Sequence, residues 1–254
     1  MVKLLEGKSA IVTGAARGIG LAVAREFALH GCDVLGCDVN GPGMKASAES
    51  IARESGRVVI GMRGDVTQRQ DVEAVARCAI ERFGKIDILM NNAGILIHAP
   101  VLEMKEEDWD RIFAVNVKGC FLFAQVVGRQ MVKQRSGRII NMSSCSGKKA
   151  TPEEGAYCAT KAAILGLNRV LALELGPYGI NVNAICPGAT DTEMVRSTFI
   201  TSPEIEKEWI EKTALKKLGK PEDQARVAVF LASELSAHMT GEAIIVSAGE
   251  MMSQ

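Results

Sequence analysis

The 254-residue chain carries 30 lysines and arginines against 30 aspartates and glutamates, a formal net charge of zero. That balance offers little to a polyanion or an anionic bilayer, so neither nucleic-acid nor membrane partners are expected. Hydrophobic residues make up 47% of the chain but fall in short runs, none near the roughly 18 uninterrupted apolar residues of a membrane span.

Apolar, β-rich runs alternate with segments of helical period along the whole length. Strands are expected near 8–13, 32–37, 57–62, 86–90, 138–143, 180–186 and 243–247. Helices are expected near 18–30, 43–55, 68–83, 106–135 with a break near 114, 155–176 and 221–234. Such alternation predicts an α/β fold: a single Rossmann-type doubly wound parallel sheet of about seven strands with helices on both faces. One domain, residues 1–254, is expected. Residues 189–215 break the rhythm after Pro187-Gly188 and contain the short helical stretch 204–210. An insert after a strand's carboxyl end sits where doubly wound folds bind ligands, so a substrate lid is expected there.

Near the start, Thr13-Gly14-Ala15-Ala16-Arg17-Gly18-Ile19-Gly20 joins the first strand to the first helix. Glycines in that context let a backbone approach a pyrophosphate at a helix N-terminus. The second strand ends in Asp38, 18 residues beyond Gly20, where a carboxylate can accept from an adenosine ribose.

Further on, Tyr157 and Lys161 stand four residues apart, one helical turn, with Ser144 13 residues upstream. An ammonium beside a phenol stabilises the phenolate, and a hydroxyl from another element can hold the oxygen that gains or loses the proton. That chemistry suits hydride transfer between an alcohol and a carbonyl. Seven cysteines, an odd number with no C-x-x-C pair, read as reduced thiols. With no signal peptide at the N-terminus, they point to the cytoplasm. A nucleophilic role for Cys145 or Cys158 is not expected, since no histidine or acid motif accompanies them. His30, His98 and His238 show no metal-ligand spacing, and no metal is expected.

These motifs, with Asp65-Val66, Asn91-Asn92-Ala93-Gly94, Asn116 and Pro187-Gly188 in order, resemble the classical short-chain dehydrogenase/reductase family over nearly the whole chain. The resemblance implies catalytic roles for Asn116, Ser144, Tyr157 and Lys161. Tyr157 would be the general acid/base, Lys161 would lower its pKa and hold the nicotinamide ribose, and Ser144 would polarise the substrate oxygen. Asn116 would place a relay water, or satisfy backbone groups within its helix. The cofactor would lie along Gly14, Arg17, Gly18, Ile19, Gly20, Asp38, Asp65, Val66, Asn92, Ala93, Gly94, Pro187, Gly188 and Thr192, together with Tyr157 and Lys161. Asn91 would join Gly94 in lining it. Asp38 would repel a 2′-phosphate, so NAD is expected over NADP, although Arg17 is a base of the kind NADP-using members carry.

Around the pocket, Ser144, Ser146, Glu154 and Tyr157 are the candidate substrate contacts. Glu154 could take hydroxyls or cap its helix, and Lys148 or Lys149 could meet an anion or be solvated. The expected reaction is NAD-dependent oxidation or reduction at a secondary alcohol or ketone of a polyol, sugar or hydroxy acid. The alternative is an NADPH-linked 3-oxoacyl-thioester reductase, against which Tyr178 and the acidic Glu153-Glu154 pair argue. A non-catalytic NAD-binding sensor would have lost Ser144, Tyr157 or Lys161, and all three are present. The resemblance also implies a homotetramer, for which Ala162 to Leu167 and Met251-Met252 supply apolar surface.

Overall fold

The computed structural model describes residues 3–252. Its strands are β1 (Ser9–Thr13), β2 (Asp33–Asp38), β3 (Val59–Arg63), β4 (Ile88–Asn91), β5 (Gly137–Met142), β6 (Ile180–Pro187) and β7 (Ala243–Val246). They form one sheet in the order β3-β2-β1-β4-β5-β6-β7, every neighbouring pair parallel. The helices are α1 (Gly18–Leu29), α2 (Gly41–Ser55), α3 (Arg69–Phe83), α4 (Glu106–Phe113), α5 (Gly119–Gln134), α6 (Gly155–Leu175), α7 (Glu193–Thr198), α8 (Pro203–Glu211) and α9 (Pro221–Ala232).

Side chains alternate across each strand, so one strand feeds two cores. From β1, Ala10 and Val12 pack with Val23 and Phe27 of α1, Met44 of α2 and Val229 of α9. On the other face Ile11 joins Val72 and Val75 of α3 and Phe123, Val127 and Met131 of α5. Burial on both faces explains why these strands read as unbroken apolar runs.

The break expected near 114 is instead a widened turn. Between α4 and α5, residues Ala114–Lys118 are π-helical, with the Gly119 N–H reaching the Ala114 carbonyl. The extra residue keeps the helix continuous while turning Val115 towards the crevice and Asn116 inward. The run Glu106–Gln134 is long and apolar enough to cross a bilayer by composition, but half of its most apolar stretch is buried inside the protein. Residues 189–215 hold two helices, α7 and α8, rather than the one expected.

Phe27 is fully buried between α1 and the sheet. Phe27→Ala is expected to lower stability by about 3–5 kcal/mol, read as a shift in the urea midpoint at unchanged slope.

Candidate active site

The sheet order reverses beside β1, and the carboxyl ends of β1 and β4 open into a cavity of ≈ 490 Å³. Gly14 turns the chain at φ +64, its N–H donating to the Cys37 carbonyl (2.8 Å), and a Cβ there would meet the Ala93 backbone at 2.8 Å. Thr13 ties the two strand ends together: its hydroxyl accepts from the N–H groups of Asn92 (2.9 Å) and Ala93 (3.0 Å). The Asn92 amide donates to the carbonyls of Thr13 (2.9 Å) and Gly14 (3.1 Å). Gly20 does not line the cavity; a Cβ there would lie 2.1 Å from the Gly14 carbonyl, so its role is to let α1 sit against the turn. The first N–H groups of α1 therefore open onto the cavity beside Gly18 and Ile19, a cradle for a pyrophosphate.

Asp38 lines the same cavity, held by N–H donors from Ala16 (3.2 Å) and Asn40 (2.9 Å). Arg17 reaches across the mouth to pair with Glu193. Arg63, beside Asp38 in register, points to Asp71 (3.8 Å). Asp65, Val66, Ala93, Gly94, Pro187, Gly188 and Thr192 complete the expected lining. Asn91 does not: its side chain lies on the opposite side of the strand end, donating to Asn141 (2.9 Å) in the core. A dinucleotide fits this set, since the cradle, the close-approach glycine and the carboxylate stand in the order its pyrophosphate and ribose require.

At the other end, Ser144, Tyr157 and Lys161 converge on the cavity. The Lys161 ammonium lies 5.4 Å from the centre of the Tyr157 ring and donates to the Met142 carbonyl (2.9 Å). Burial brings its pKa down to about 8. The expected acidification of Tyr157 is not found in the protein alone. The side chain lines the cavity, and desolvation raises its pKa well above the usual phenol value, while the neighbouring Ser144 pulls the other way. Asn116 lies behind Lys161 rather than in the cavity. Its amide donates to the Ile95 carbonyl (3.0 Å) and the Thr160 hydroxyl (3.1 Å) and accepts from the Ile95 N–H (2.8 Å).

Residues 14–250 match the family model described as Enoyl-(Acyl carrier protein) reductase. The 3-oxoacyl-(acyl-carrier-protein) reductase FabG of Chlamydia trachomatis is 37% identical, covering 98% of this chain and 99% of that protein. FabG of Thermotoga maritima is 38% identical, over 96% and 98%. Among solved structures, a short-chain type dehydrogenase/reductase from Mycobacterium marinum superposes with a TM-score of 0.92 at 35% identity, over 98% and 97%. A candidate gluconate dehydrogenase from Agrobacterium tumefaciens gives 0.94 at 29%, over the full length of both.

This chain belongs to the short-chain dehydrogenase/reductase family. Several charged and polar side chains reach the end of the cavity beside Ser144 and Tyr157. Glu154 is buried at the start of α6 yet caps nothing, which removes the capping role. It accepts from the Ser146 hydroxyl (2.9 Å), and burial raises its pKa. Lys149 is neither free nor solvated alone: it pairs with Glu250. Lys148 lies outside this cavity. Glu250, which the motif reading did not reach, also accepts from the Ala189 N–H (2.8 Å) beside Gly188. It stands three residues after Ser247, beyond the last strand, where no motif marks it. From the insert, Met194, Val195, Phe199, Trp209 and Lys212 line the cavity. The Cys145 thiol is buried and pushed up to about 12, too weakly acidic for a nucleophile at neutral pH.

Tyr157→Phe is expected to cut turnover by about 10²–10⁴-fold while leaving nicotinamide binding, measured by fluorescence, nearly intact. Lys161 carries a stability cost below pH about 8, because its folded pKa lies beneath the ordinary 10.5. Between those values the unfolded chain holds the extra proton, so stability rises with pH. Lys161→Met should therefore abolish turnover yet stabilise the ligand-free protein at pH 7 by on the order of 3 kcal/mol, checked by chemical denaturation.

Proposed function

We propose that this enzyme interconverts a ketone and a secondary alcohol, with NAD(H) as the nicotinamide partner. The observation that carries the reading is the convergence of Ser144, Tyr157 and Lys161 on the cavity that also holds the glycine turn and Asp38. In reduction, Ser144 and Tyr157 hold the substrate oxygen, and the Tyr157 hydroxyl gives it a proton as the carbonyl becomes an alkoxide. In oxidation the same oxygen takes the proton back. Bound nicotinamide supplies or accepts the hydride at the substrate carbon. A phenol held protonated by burial favours reduction at neutral pH, and a cation nearby is what oxidation requires.

Asp38 supports NAD(H): its carboxylate is fixed by two backbone donors, and the nearby guanidinia of Arg17 and Arg63 are each paired with an acid. A 2′-phosphate would meet like charge, and both nearby guanidinia are already engaged by acids. For the substrate, full-length similarity to proteins named 3-oxoacyl-(acyl-carrier-protein) reductase favours a 3-oxoacyl thioester. A second reading, a small polyhydroxy compound or hydroxy acid, is favoured by the buried Glu154 carboxylate, which a thioester's methylene could not partner. The segment 189–215 serves as the lid, its Phe199 and Trp209 rings tilted at 37° with centres 5.4 Å apart, both lining the cavity. Exposed Phe121, Val170 and Leu173 on α5 and α6 support a homotetramer, which light scattering would test.

The deciding assay follows nicotinamide absorbance with 3-oxoacyl thioesters, polyols, sugars and hydroxy acids, each scored with both nicotinamides. A higher kcat/KM with NAD(H) is expected, and Asp38→Ala should narrow that preference by about tenfold or more. A wild-type preference for NADP(H) overturns the cofactor assignment.

A further inference from the structure

Glu154 is 4% exposed and has no cationic partner among the described residues: Lys149 pairs with Glu250, and His98 with Glu153 at 3.4 Å. One of its oxygens, Oε2, takes the Ser146 hydroxyl; Oε1 has no protein donor, is not sealed in, and belongs to a residue lining the cavity. The Ser146 N–H in turn donates to the Ser144 hydroxyl (3.1 Å), so the carboxylate is linked through its Oε2 and two hydrogen bonds to the proposed holder of the reacting oxygen, leaving Oε1 open. Burying an unpaired carboxylate costs stability, and this one also makes the Tyr157 proton harder to remove. A site built only to hold a ketone on an alkyl chain would gain from an apolar side chain here.

We propose that Glu154, braced by Ser146, is a specificity subsite that accepts a second substrate hydroxyl, on the carbon next to the one exchanging hydride. The inference rests on the polyhydroxy reading above and sharpens it to vicinal diols and their α-hydroxy ketones. A hydroxyl donating to Oε1 satisfies the buried acceptor, whereas a methylene in its place leaves it desolvated and unpaired.

The test uses the full chain with NAD(H) and matched pairs: propylene glycol against isopropanol, and four- to six-carbon polyols against their deoxy counterparts. The wild type is expected to favour the diol of each pair in kcat/KM. Glu154→Leu should reduce that diol-to-monoalcohol ratio by about 10- to 100-fold. Glu154→Gln, which keeps shape and one acceptor but loses the charge, should reduce it by about 3- to 10-fold and carries the test if the leucine variant does not fold. Diol turnover with a ratio unchanged in the variants overturns the subsite and leaves the polyhydroxy reading standing. Turnover confined to 3-oxoacyl thioesters overturns both.

Discussion

Strands β2 and β3 extend the sheet from one side of β1, and β4 to β7 extend it from the other, so the chain leaves the carboxyl ends of β1 and β4 in opposite directions. A crevice must open between them, and Gly14, Asp38, Ser144, Tyr157 and Lys161 all line it. The Thr13 hydroxyl closes the floor by holding the Asn92 and Ala93 amides, which brings the turn after β4 against the turn after β1. Two absent Cβ atoms, at Gly14 and Gly20, then let backbone meet backbone at distances no other residue allows.

At the chemical end the dominant force is desolvation. It lowers Lys161, raises Tyr157 and raises Glu154, so each group is held closer to its neutral form than water would leave it. A protonated phenol on the same cavity as Ser144 suits the proton donor of the proposed reaction, with the Lys161 ammonium 5.4 Å from its ring centre. The cost of these buried groups is the stability given up at a functional site. The two hydrophobic cores on either side of the sheet offset it.

Similarity and local chemistry address different halves of the substrate question. Similarity to FabG proteins extends over nearly the whole chain, and so speaks for the scaffold more than for any one wall of the cavity. The walls at this end of the cavity come from the loop between Ser144 and Tyr157, from the insert, and from Glu250 near the C-terminus. Lys149 and Glu250 lie 101 residues apart and pair across that space, clamping two of these walls together.

The sheet, the glycine turn, Asp38 and the Tyr157–Lys161 pair were legible in the chain alone, because each depends on local periodicity or on residues within about two turns or one βαβ unit. Tertiary structure alone decided the rest. Asn91 and Asn92 are adjacent and chemically alike, but the strand's alternation sends the first into the core and the second to the cavity. Tyr157 and Glu154 have pKa values set by burial, which sequence spacing does not measure. Glu250 enters the site only because β7 lies next to β6, a pairing between segments that no local motif links.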